Sequence, residues 1–274
     1  GSGAIARHLG SFVKKIDLIS PLGNEEFYNK LINKSFEKNV YKHFLRNKNF
    51  NNTVVKERFI DEVSGYKLFG SYILPDNRFK IEEKKIIKKA EQVKKGSDLI
   101  IITDYGHHFM TKKIATNLIN SKKFVAVNAQ VNSSTQGYYS VENYVGASAI
   151  IINETELRQY SRDSFSDIKK LSKKFKKEKK INYLIVTMGK DGAILLDKLS
   201  KVYFCPAFAK RAVDKVGSGD AMLSVISLCL KLKLNPDLVL FLGSLAASYS
   251  VESLGNKKNI NIEDLDRAIE YILK

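Results

Sequence analysis

The sequence is poor in cysteine and has no long apolar run. Its 274 residues include two cysteines, Cys205 and Cys229, too few for a disulfide framework, so we expect a reduced, cytoplasmic protein. The most apolar stretch, residues 221–230, is too short to cross a bilayer and is followed by Lys231. The first residues, GSGAIARHLG, lack a basic segment ahead of an apolar one, which argues against a secretory signal.

Acidic residues are scarce relative to basic ones. The formal net charge is +17, from 46 Lys and Arg against 29 Asp and Glu. The segment KKLSKKFKKEKK (residues 169–180) has the charge to contact nucleic acid or anionic lipid. It matches no recognised nucleic-acid motif, so we interpret it as the solvated face of a helix and expect neither a nucleic-acid nor a membrane partner.

Apolar runs and helical patterns alternate along the chain. This alternation predicts an α/β fold with a mostly parallel sheet and helices on both faces. The predicted buried strands are residues 15–20, 98–103, 123–128, 148–153 and 182–187, with an edge hairpin at 193–196 and 201–205. The predicted helices are residues 25–38, 81–95, 111–120, 167–177, 219–230, 236–252 and 262–273.

Residues 52–72 break the alternation. This segment alternates polar and apolar residues and is interrupted by Ser64-Gly65, which predicts an exposed antiparallel hairpin, a small lid beside the main sheet. Lys56 and Arg58 lie on it, where they would reach an anionic group of a substrate. A solvated hairpin face explains the same two charges equally well.

Polar residues collect where the predicted strands end. Ligands of open parallel sheets bind beyond the carboxyl ends of the strands, so several polar strand ends predict one shared cleft. His107 and His108 are adjacent on a predicted loop, so their side chains point apart, which argues against a metal site there. The strand-end residues are Asp104, Asn128, Asn153 and Thr187, and on position alone we expect His107, His108, Asn128, Gln130 and Asn132 to face the acceptor.

The segment Gly217-Ser218-Gly219-Asp220 precedes an apolar helix. Two glycines and a small serine let the backbone approach an anion, and the first N–H groups of a helix have no intrahelical acceptor. This predicts a phosphate site. A carboxylate there makes sense if Asp220 takes a proton from an attacking hydroxyl. The alternative is an ordinary glycine turn followed by a first-turn helix acid.

Asn153 and Glu156 allow two interpretations. Oxygen ligands near phosphates suit Mg²⁺, which keeps most of its waters and takes few direct protein contacts. Glu156 is equally placed to close a capping box with Asn153 as the N-cap of a helix. The two roles are compatible.

These motifs together resemble the ribokinase-like (PfkB) family of carbohydrate kinases over nearly the whole chain. The signature D-T-x-G-A-G-D is similar to residues 214–220. The resemblance implies a three-layer sandwich, with Asp220 as catalytic base and Gly217, Ser218 and Gly219 as anion hole. The family motif N-x-x-E matches Asn153 and Glu156, which would organise Mg²⁺.

The resemblance also implies where ATP lies. The T-x-G-x-x-G turn of the family matches Thr187, Gly189 and Gly192. Asp214 of the signature would also bind the nucleotide. Ser244 and the following segment AASYSVESLG resemble the helix and loop beside the adenine. Within the family, DYGHH, VNAQVN and TVVKERFID are similar to the heptose-phosphate kinase branch.

The chain departs from the family pattern on the acceptor side. Lys215 replaces a usual Thr, and Ala4 stands where an Asn would hold sugar hydroxyls, near Gly3. The family's first strand has no counterpart in residues 1–274, which form a single predicted domain. Either the chain is truncated or its sugar site is rebuilt, and an open sheet edge favours a homodimer through that edge or through the lid.

We therefore predict transfer of the γ-phosphate of ATP to a hydroxyl of a sugar or sugar phosphate, with Mg²⁺. Arg58, Asp104, Asn128 and Gly3 would hold the acceptor. A non-catalytic sugar- or nucleotide-binding regulator descended from the family is the alternative, although such a protein has no need of a base at Asp220. A basic nucleic-acid-binding protein is the third hypothesis and rests on charge alone.

Overall fold

The computed structural model describes residues 1–46, 53–62, 67–74, 83–131, 140–209, 217–251 and 259–273. The strands are β1 Ile16–Pro21, β2 Val40–Leu45, β3 Val55–Ile60, β4 Lys67–Ile73, β5 Leu99–Asp104, β6 Phe124–Ala129, β7 Ala149–Asn153, β8 Tyr183–Thr187, β9 Ala193–Leu196 and β10 Val202–Cys205. The helices are α1 Ser2–Leu9, α2 Glu26–Lys34, α3 Glu83–Lys94, α4 Lys112–Ile119, α5 Glu154–Ser161, α6 Ile168–Lys179, α7 Ser218–Lys231, α8 Pro236–Val251 and α9 Ile262–Leu273.

The main sheet has the strand order β10-β9-β8-β7-β6-β5. Strands β5 to β8 are parallel, and the hairpin β9–β10 adds two antiparallel strands at one edge. The mostly parallel sheet and the edge hairpin were both predicted from the apolar runs, and both are confirmed. In this register Asp104 lies opposite Ala129, and Asn153 lies opposite Thr187, so the polar strand ends meet at one edge of the sheet.

Two apolar cores cover the faces of this sheet. Ile150 and Ile152 of β7 point into the core beneath α3, α4, α5 and α6, whereas Ile151 points into the core beneath α1, α7 and α8. The alternation follows from the two-residue repeat of a strand, and side chains that are apolar on both faces suit a sheet covered by helices on both sides. The result is the predicted three-layer arrangement.

The first predicted strand lies elsewhere than expected. Residues 15–20 were predicted to be a strand buried on both faces, but β1 pairs in parallel with β2 in a separate two-stranded sheet, and only Leu18 of β1 is buried. The strand β2 was missed, because the sequence analysis predicted a helix over residues 25–38 and no element over residues 40–45. That helix ends at Lys34.

The lid is an antiparallel pair, β3 with β4, as predicted, while Ser64-Gly65 lies outside the described residues. Lys56, Arg58 and Ile60 share the face that lines a cavity against the main body, and Phe59 and Phe69 stack on the outer face with ring centroids 4.2 Å apart. Two lid faces of opposite character therefore result from the two-residue repeat.

The lysine-rich segment is helix α6, as the charge pattern indicated. Its apolar side packs Leu171 and Phe175 into the core. Lys176 is buried and donates to the carbonyl of Lys198 at 3.4 Å, and Lys179 lies over the Tyr160 ring at 4.4 Å, so part of the run is structural. No helix among the described residues is long and apolar enough to span a membrane.

Candidate active site

The first turn of helix α7 forms one wall of the candidate site. Gly217 is its N-cap, with φ of +94°, a left-handed conformation that glycine adopts at little cost. A Cβ on Gly219 would meet no atom within 4 Å, so open space lies directly beside the first turn. The first N–H groups of the helix point into that space with the positive end of the helix dipole. An anion can therefore approach the backbone closely here.

Asp220 lies in the first turn of α7 and is 9% exposed. One carboxylate oxygen, Oδ2, accepts from the Gly1 ammonium at 2.5 Å. The other oxygen, Oδ1, is 3.5 Å from the Tyr105 hydroxyl. Burial and the negative charge of Asp220 together raise the pKa of Tyr105, so that hydroxyl keeps its proton. Asp220 thus lines the cavity that also contains the polar strand ends.

Asp104 is the last residue of β5, and both of its carboxylate oxygens accept hydrogen bonds within the protein. Its Oδ1 accepts from the backbone N–H of Gly106 at 2.9 Å, and its Oδ2 accepts from the Tyr144 hydroxyl at 2.7 Å. These bonds form the turn that carries Tyr105 and His107. Burial lowers the pKa of His107, against the opposing effect of the Asp104 charge, so His107 is neutral near pH 7.

Asn153 and Glu156 form a complete capping box at the start of α5. Asn153 Oδ1 accepts from the Glu156 N–H at 2.8 Å, and Glu156 Oε2 accepts from the Asn153 N–H at 3.2 Å. Glu156 Oε1 also accepts from the Val131 N–H at 3.3 Å. Burial raises the pKa of Glu156. Both side chains line the cavity, so the cap places their oxygens at its wall.

Asn153 and Glu156 fit a magnesium ion that keeps its water ligands between the metal and the protein. Each oxygen of the capping box already accepts a backbone N–H, and the described residues contain no cluster of three or more His, Cys, Asp or Glu that would form a direct cage. A carboxylate has further lone pairs, and Mg²⁺ retains several waters in nucleotide sites. Asn153 and Glu156 therefore suit a hydrated ion held by the phosphates.

The turn after β8 is formed around two glycines, Gly189 and Gly192. Met188 donates to the carbonyl of Gly192 at 2.8 Å, and both Gly189 and Gly192 have positive φ. A Cβ on Gly192 would lie 2.2 Å from the Cys205 carbonyl, so only glycine fits against that strand. A Cβ on Gly189 would meet nothing within 4 Å, which leaves open space above this turn.

The lid is attached beside the cavity by one acidic side chain. Glu25 accepts from the Thr53 N–H at 2.7 Å and from its hydroxyl at 2.8 Å, and the Gly23 N–H donates to the same hydroxyl at 3.1 Å. This contact positions the start of β3. Lys56 and Arg58, two residues apart, line the same cavity as His107, and the charge of Lys56 helps to lower the pKa of His107.

Most of the predicted site residues line this one cavity. Asn128 and His108 do not: the side-chain amide of Asn128 donates to the Ile151 carbonyl at 3.0 Å, within the sheet, and His108 is exposed outside the cavity. Asp214, Lys215 and Asn132 lie outside the described residues. The predicted residues that line the cavity are Gly217, Ser218, Gly219, Asp220, Thr187, Gly189, Gly192, Ser244, Asn153, Glu156, Gly3, Arg58 and Asp104.

Two residues near Asp220 were not singled out in the sequence. Tyr105 follows a polar strand end, which was the available signal. His8 gave no signal, because it lies in α1, a helix the sequence analysis did not predict. His8 Nδ1 accepts from the Ile260 N–H at 3.2 Å, and burial lowers the pKa of His8 to about 4 despite the nearby Asp220 charge.

Comparison with known proteins identifies the family. Residues 1–262 match the pfkB family carbohydrate kinase description. The chain belongs to this family. The ribokinase-like fold expected from the sequence motifs is confirmed.

Curated relatives of this PfkB chain include the bifunctional protein HldE of two bacteria. The Campylobacter fetus protein is 28% identical over 174 residues, 62% of this chain and 37% of the relative. The Aliarcobacter butzleri protein is 24% identical over 274 residues, 99% of this chain and 56% of the relative. This chain therefore spans between about a third and somewhat over half of these relatives.

Solved structures resemble the chain in fold. Phosphofructokinase-2 from Escherichia coli, in complex with potassium, superposes with a TM-score of 0.80 at 15% identity and covers 99% of this chain and 86% of its own. The ribokinase of Thermotoga maritima has a TM-score of 0.75 at 19% identity, over 98% of this chain and 85% of its own. At these identities the likeness concerns the fold.

Proposed function

We propose that this PfkB kinase transfers the γ-phosphate of ATP to a hydroxyl of a sugar or sugar phosphate, with Asp220 as the general base. The observation that carries the proposal is the position of Asp220. Its carboxylate stands in the first turn of α7, beside Gly217 and Gly219, in the same cavity as the Thr187 turn and the lid.

The acceptor hydroxyl is activated by a carboxylate that is nearly buried. Asp220 Oδ2 now holds the Gly1 ammonium, and an acceptor hydroxyl would take that place as hydrogen-bond donor. As the hydroxyl oxygen bonds to the γ-phosphorus of ATP, the bond from that phosphorus to the β–γ bridging oxygen breaks, ADP leaves, and the hydroxyl proton passes to Asp220 Oδ2. The N–H groups at the start of α7 then hold the charge that builds on the transferred phosphoryl oxygens.

The nucleotide would lie over the turn after β8. Gly189 leaves open space above this turn, and Ser244 of α8 lines the same part of the cavity. Asn153 and Glu156 would hold the waters of Mg²⁺, which would neutralise phosphate charge. The cytoplasm is the compartment we assign, because Cys205 and Cys229 are buried free thiols.

The acceptor we favour carries a phosphate or another anionic group. Lys56 and Arg58 share the cavity-facing side of the lid, and His107 lies close enough to Lys56 for that charge to lower its pKa. Lys56, Arg58 and His107 can each donate a hydrogen bond to an anionic group in this cavity. The similarity to the HldE proteins accords with the heptose-phosphate kinase resemblance of the sequence.

A coupled assay tests the proposal. ATP and Mg²⁺ are supplied with a panel of sugars and sugar phosphates, including heptose phosphates. Asp220→Asn should lower kcat by about 10²–10⁴-fold, because it removes the proton acceptor without changing size. The matched control is Asp237→Asn, an exposed first-turn acid of α8, which should keep its turnover. Equal turnover in wild type and Asp220→Asn would contradict the kinase mechanism.

A further inference from the structure

Tyr105 is the first residue after β5, and its side chain reaches the candidate base. Its hydroxyl donates to Asp220 Oδ1 at 3.5 Å, whereas Asp220 Oδ2 accepts from the Gly1 ammonium. The two oxygens of one carboxylate therefore have different surroundings. The terminal torsion of an aspartate side chain is broad and roughly two-fold, so neighbouring groups decide which oxygen is available to the cavity.

The turn that carries Tyr105 is held in place by Asp104. The carboxylate of Asp104 accepts from the Gly106 N–H and the Tyr144 hydroxyl, and its carbonyl accepts from the Gln130 N–H at 2.8 Å. Asp104 is buried, and these three bonds connect the end of β5 to the segments that follow β6 and precede β7. The Tyr105 side chain therefore projects from a backbone that is fixed at three points.

The Tyr105 hydroxyl is a donor to Asp220 at neutral pH. Burial, together with the negative charge of Asp220, raises the pKa of Tyr105, so the proton stays on the phenol oxygen. Thr103, two residues earlier, forms a side-chain hydrogen bond with Tyr105 that favours the ionised phenol, as a bond donated to the phenol oxygen does. With Thr103 donating to that oxygen, the phenol proton is left for Asp220.

The charged and titratable groups around Asp220 come from two elements. Helix α1 contributes the Gly1 ammonium and His8, and burial lowers the pKa of His8 to about 4, so this ring is neutral near pH 7. The end of β5 contributes Asp104 and Tyr105. The elements β6 and α8 also pack against α7, and they carry no charged residue in the stretches beside its first turn. Tyr105 is thus the neutral donor on the carboxylate among these described groups.

We propose that Tyr105 is a positioning residue for the reaction: by holding Oδ1 of Asp220, it leaves Oδ2 as the oxygen that takes the proton of the acceptor hydroxyl. This inference rests on the proposed role of Asp220 as general base. Tyr105 acts through the carboxylate and not on the substrate. A donor on one oxygen also favours the charged form of a carboxylate, which is the form that accepts a proton.

The ring of Tyr105 has a separate structural contact. A Cβ built on Gly1 would lie 3.2 Å from the hydroxyl oxygen and 3.4 Å from the nearest ring carbon, so the ring packs against the start of α1. Phenylalanine keeps this ring and removes the hydroxyl. Tyr105→Phe therefore measures the hydrogen bond to Asp220 apart from the packing.

The pH dependence of kcat/KM in the coupled ATP assay tests the assignment. In Tyr105→Phe the carboxylate loses a donor to its charged form, so the acidic limb should move to higher pH by about half a unit or more. On the plateau kcat should fall by about tenfold, because Oδ2 is no longer fixed toward the acceptor, while KM for ATP stays that of wild type. 3-Fluorotyrosine at position 105 keeps the ring and donates more strongly, so it should move the limb to lower pH.

A double-mutant cycle shows whether Tyr105 acts through Asp220. In the Asp220→Asn background, Tyr105→Phe should have no further effect on kcat, because no proton acceptor remains to be positioned. The matched control is Tyr160→Phe, which removes the hydroxyl from another tyrosine–carboxylate pair, Tyr160 with Glu178, outside the cavity. It should keep the kcat and the pH profile of wild type.

The other results overturn either this inference or the function beneath it, and the two cases are distinguishable. If Tyr105→Phe keeps the limb and the kcat of wild type, or lowers only Tm, its hydroxyl has no positioning role. A further loss of kcat in the Asp220→Asn background contradicts an action through the carboxylate. If Asp220→Asn itself keeps the turnover of wild type, the proposed kinase mechanism fails, whatever the effect of Tyr105→Phe.

Discussion

Single residues around Asp220 determine its charge environment. His8, a residue of α1, is buried against the segment before α9. Its Nε2 has no hydrogen-bond partner among the described residues. Its Nδ1 accepts from Ile260, so the neutral ring carries its proton on Nε2. Burial thus disfavours the charged form more than the nearby Asp220 carboxylate favours it.

The depressed pKa of His8 makes stability depend on pH. The unfolded chain binds a proton near pH 6.5 and the folded chain near pH 4, so the free energy of unfolding should fall as pH drops through this window. The loss should approach about 3 kcal/mol. Urea unfolding at pH 7.5 and pH 4.5 measures it. In His8→Asn, which keeps an acceptor for Ile260, the difference between the two pH values should shrink by that amount.

The exposed His108 provides the control for His8. Its backbone has a φ of +61°, a conformation that asparagine tolerates, so His108→Asn should fold normally. We expect His108→Asn to keep the pH dependence of wild type. If His8→Asn keeps it as well, another group is responsible for the loss of stability at low pH.

At the scale of elements, caps and turns place the polar groups of the site. The capping box of α5 fixes Asn153 and Glu156 at the end of β7, where they face the cavity. The close approach of Gly192 to Cys205 fixes the turn after β8. In both cases the same residues stabilise the local fold and are proposed to contact the nucleotide or its metal. A useful mutant therefore changes one of these two roles and keeps the other.

Substitutions of Asn153 separate the two roles. Asn153→Ala should lower the free energy of unfolding by about 1 kcal/mol, because the first turn of α5 loses its acceptor. Asn153→Asp keeps a good N-cap and should stay within about 0.5 kcal/mol of wild type, while the added charge changes the Mg²⁺ concentration needed for half-maximal turnover. Chemical unfolding and a Mg²⁺ titration of the kinase assay measure these effects.

Thr111 is the matched control for Asn153. Its hydroxyl accepts from the Ile114 N–H at the start of α4, and Thr111→Ala should lose a similar free energy. Its Mg²⁺ dependence should remain that of wild type. If Asn153→Asp and Thr111→Ala have the same Mg²⁺ dependence, Asn153 acts only as a cap.

For the whole molecule, the lid raises the question of assembly. Its inner face carries Lys56 and Arg58, and its outer face exposes Phe59 and Phe69 by 44% and 57% of their surfaces. Two stacked aromatic rings in water form a natural contact for a second copy. We propose that the lid pairs with the lid of another copy to make a homodimer.

Light scattering after gel filtration tests the dimer. Phe59→Ser combined with Phe69→Ser should shift the mass from dimer to monomer at about 10 µM protein, because the apolar contact is lost. Phe165→Ser is the control, since Phe165 is 99% exposed outside the lid, and it should leave the mass unchanged. A monomeric wild type at this concentration would contradict the proposal.

Local sequence patterns determined much of this protein. Apolar runs from Ile100 through Val186 predicted the parallel strands, the alternation around Arg58 predicted the lid hairpin, and the glycines before Asp220 predicted the start of α7. Each of these features arises from short-range physics: the two-residue strand repeat, the conformational freedom of glycine and the unpaired N–H groups of a helix start.

Only the tertiary structure decided which elements are neighbours. Residues 15–20 have the pattern of an interior strand, but pairing with β2 depends on contacts that no local pattern contains. The same holds for His8 beside Asp220, more than two hundred residues apart in the chain, and for the amide of Asn128, which bonds within the sheet. Hydrophobic patterning selects burial but not the partner, so these contacts required the folded molecule.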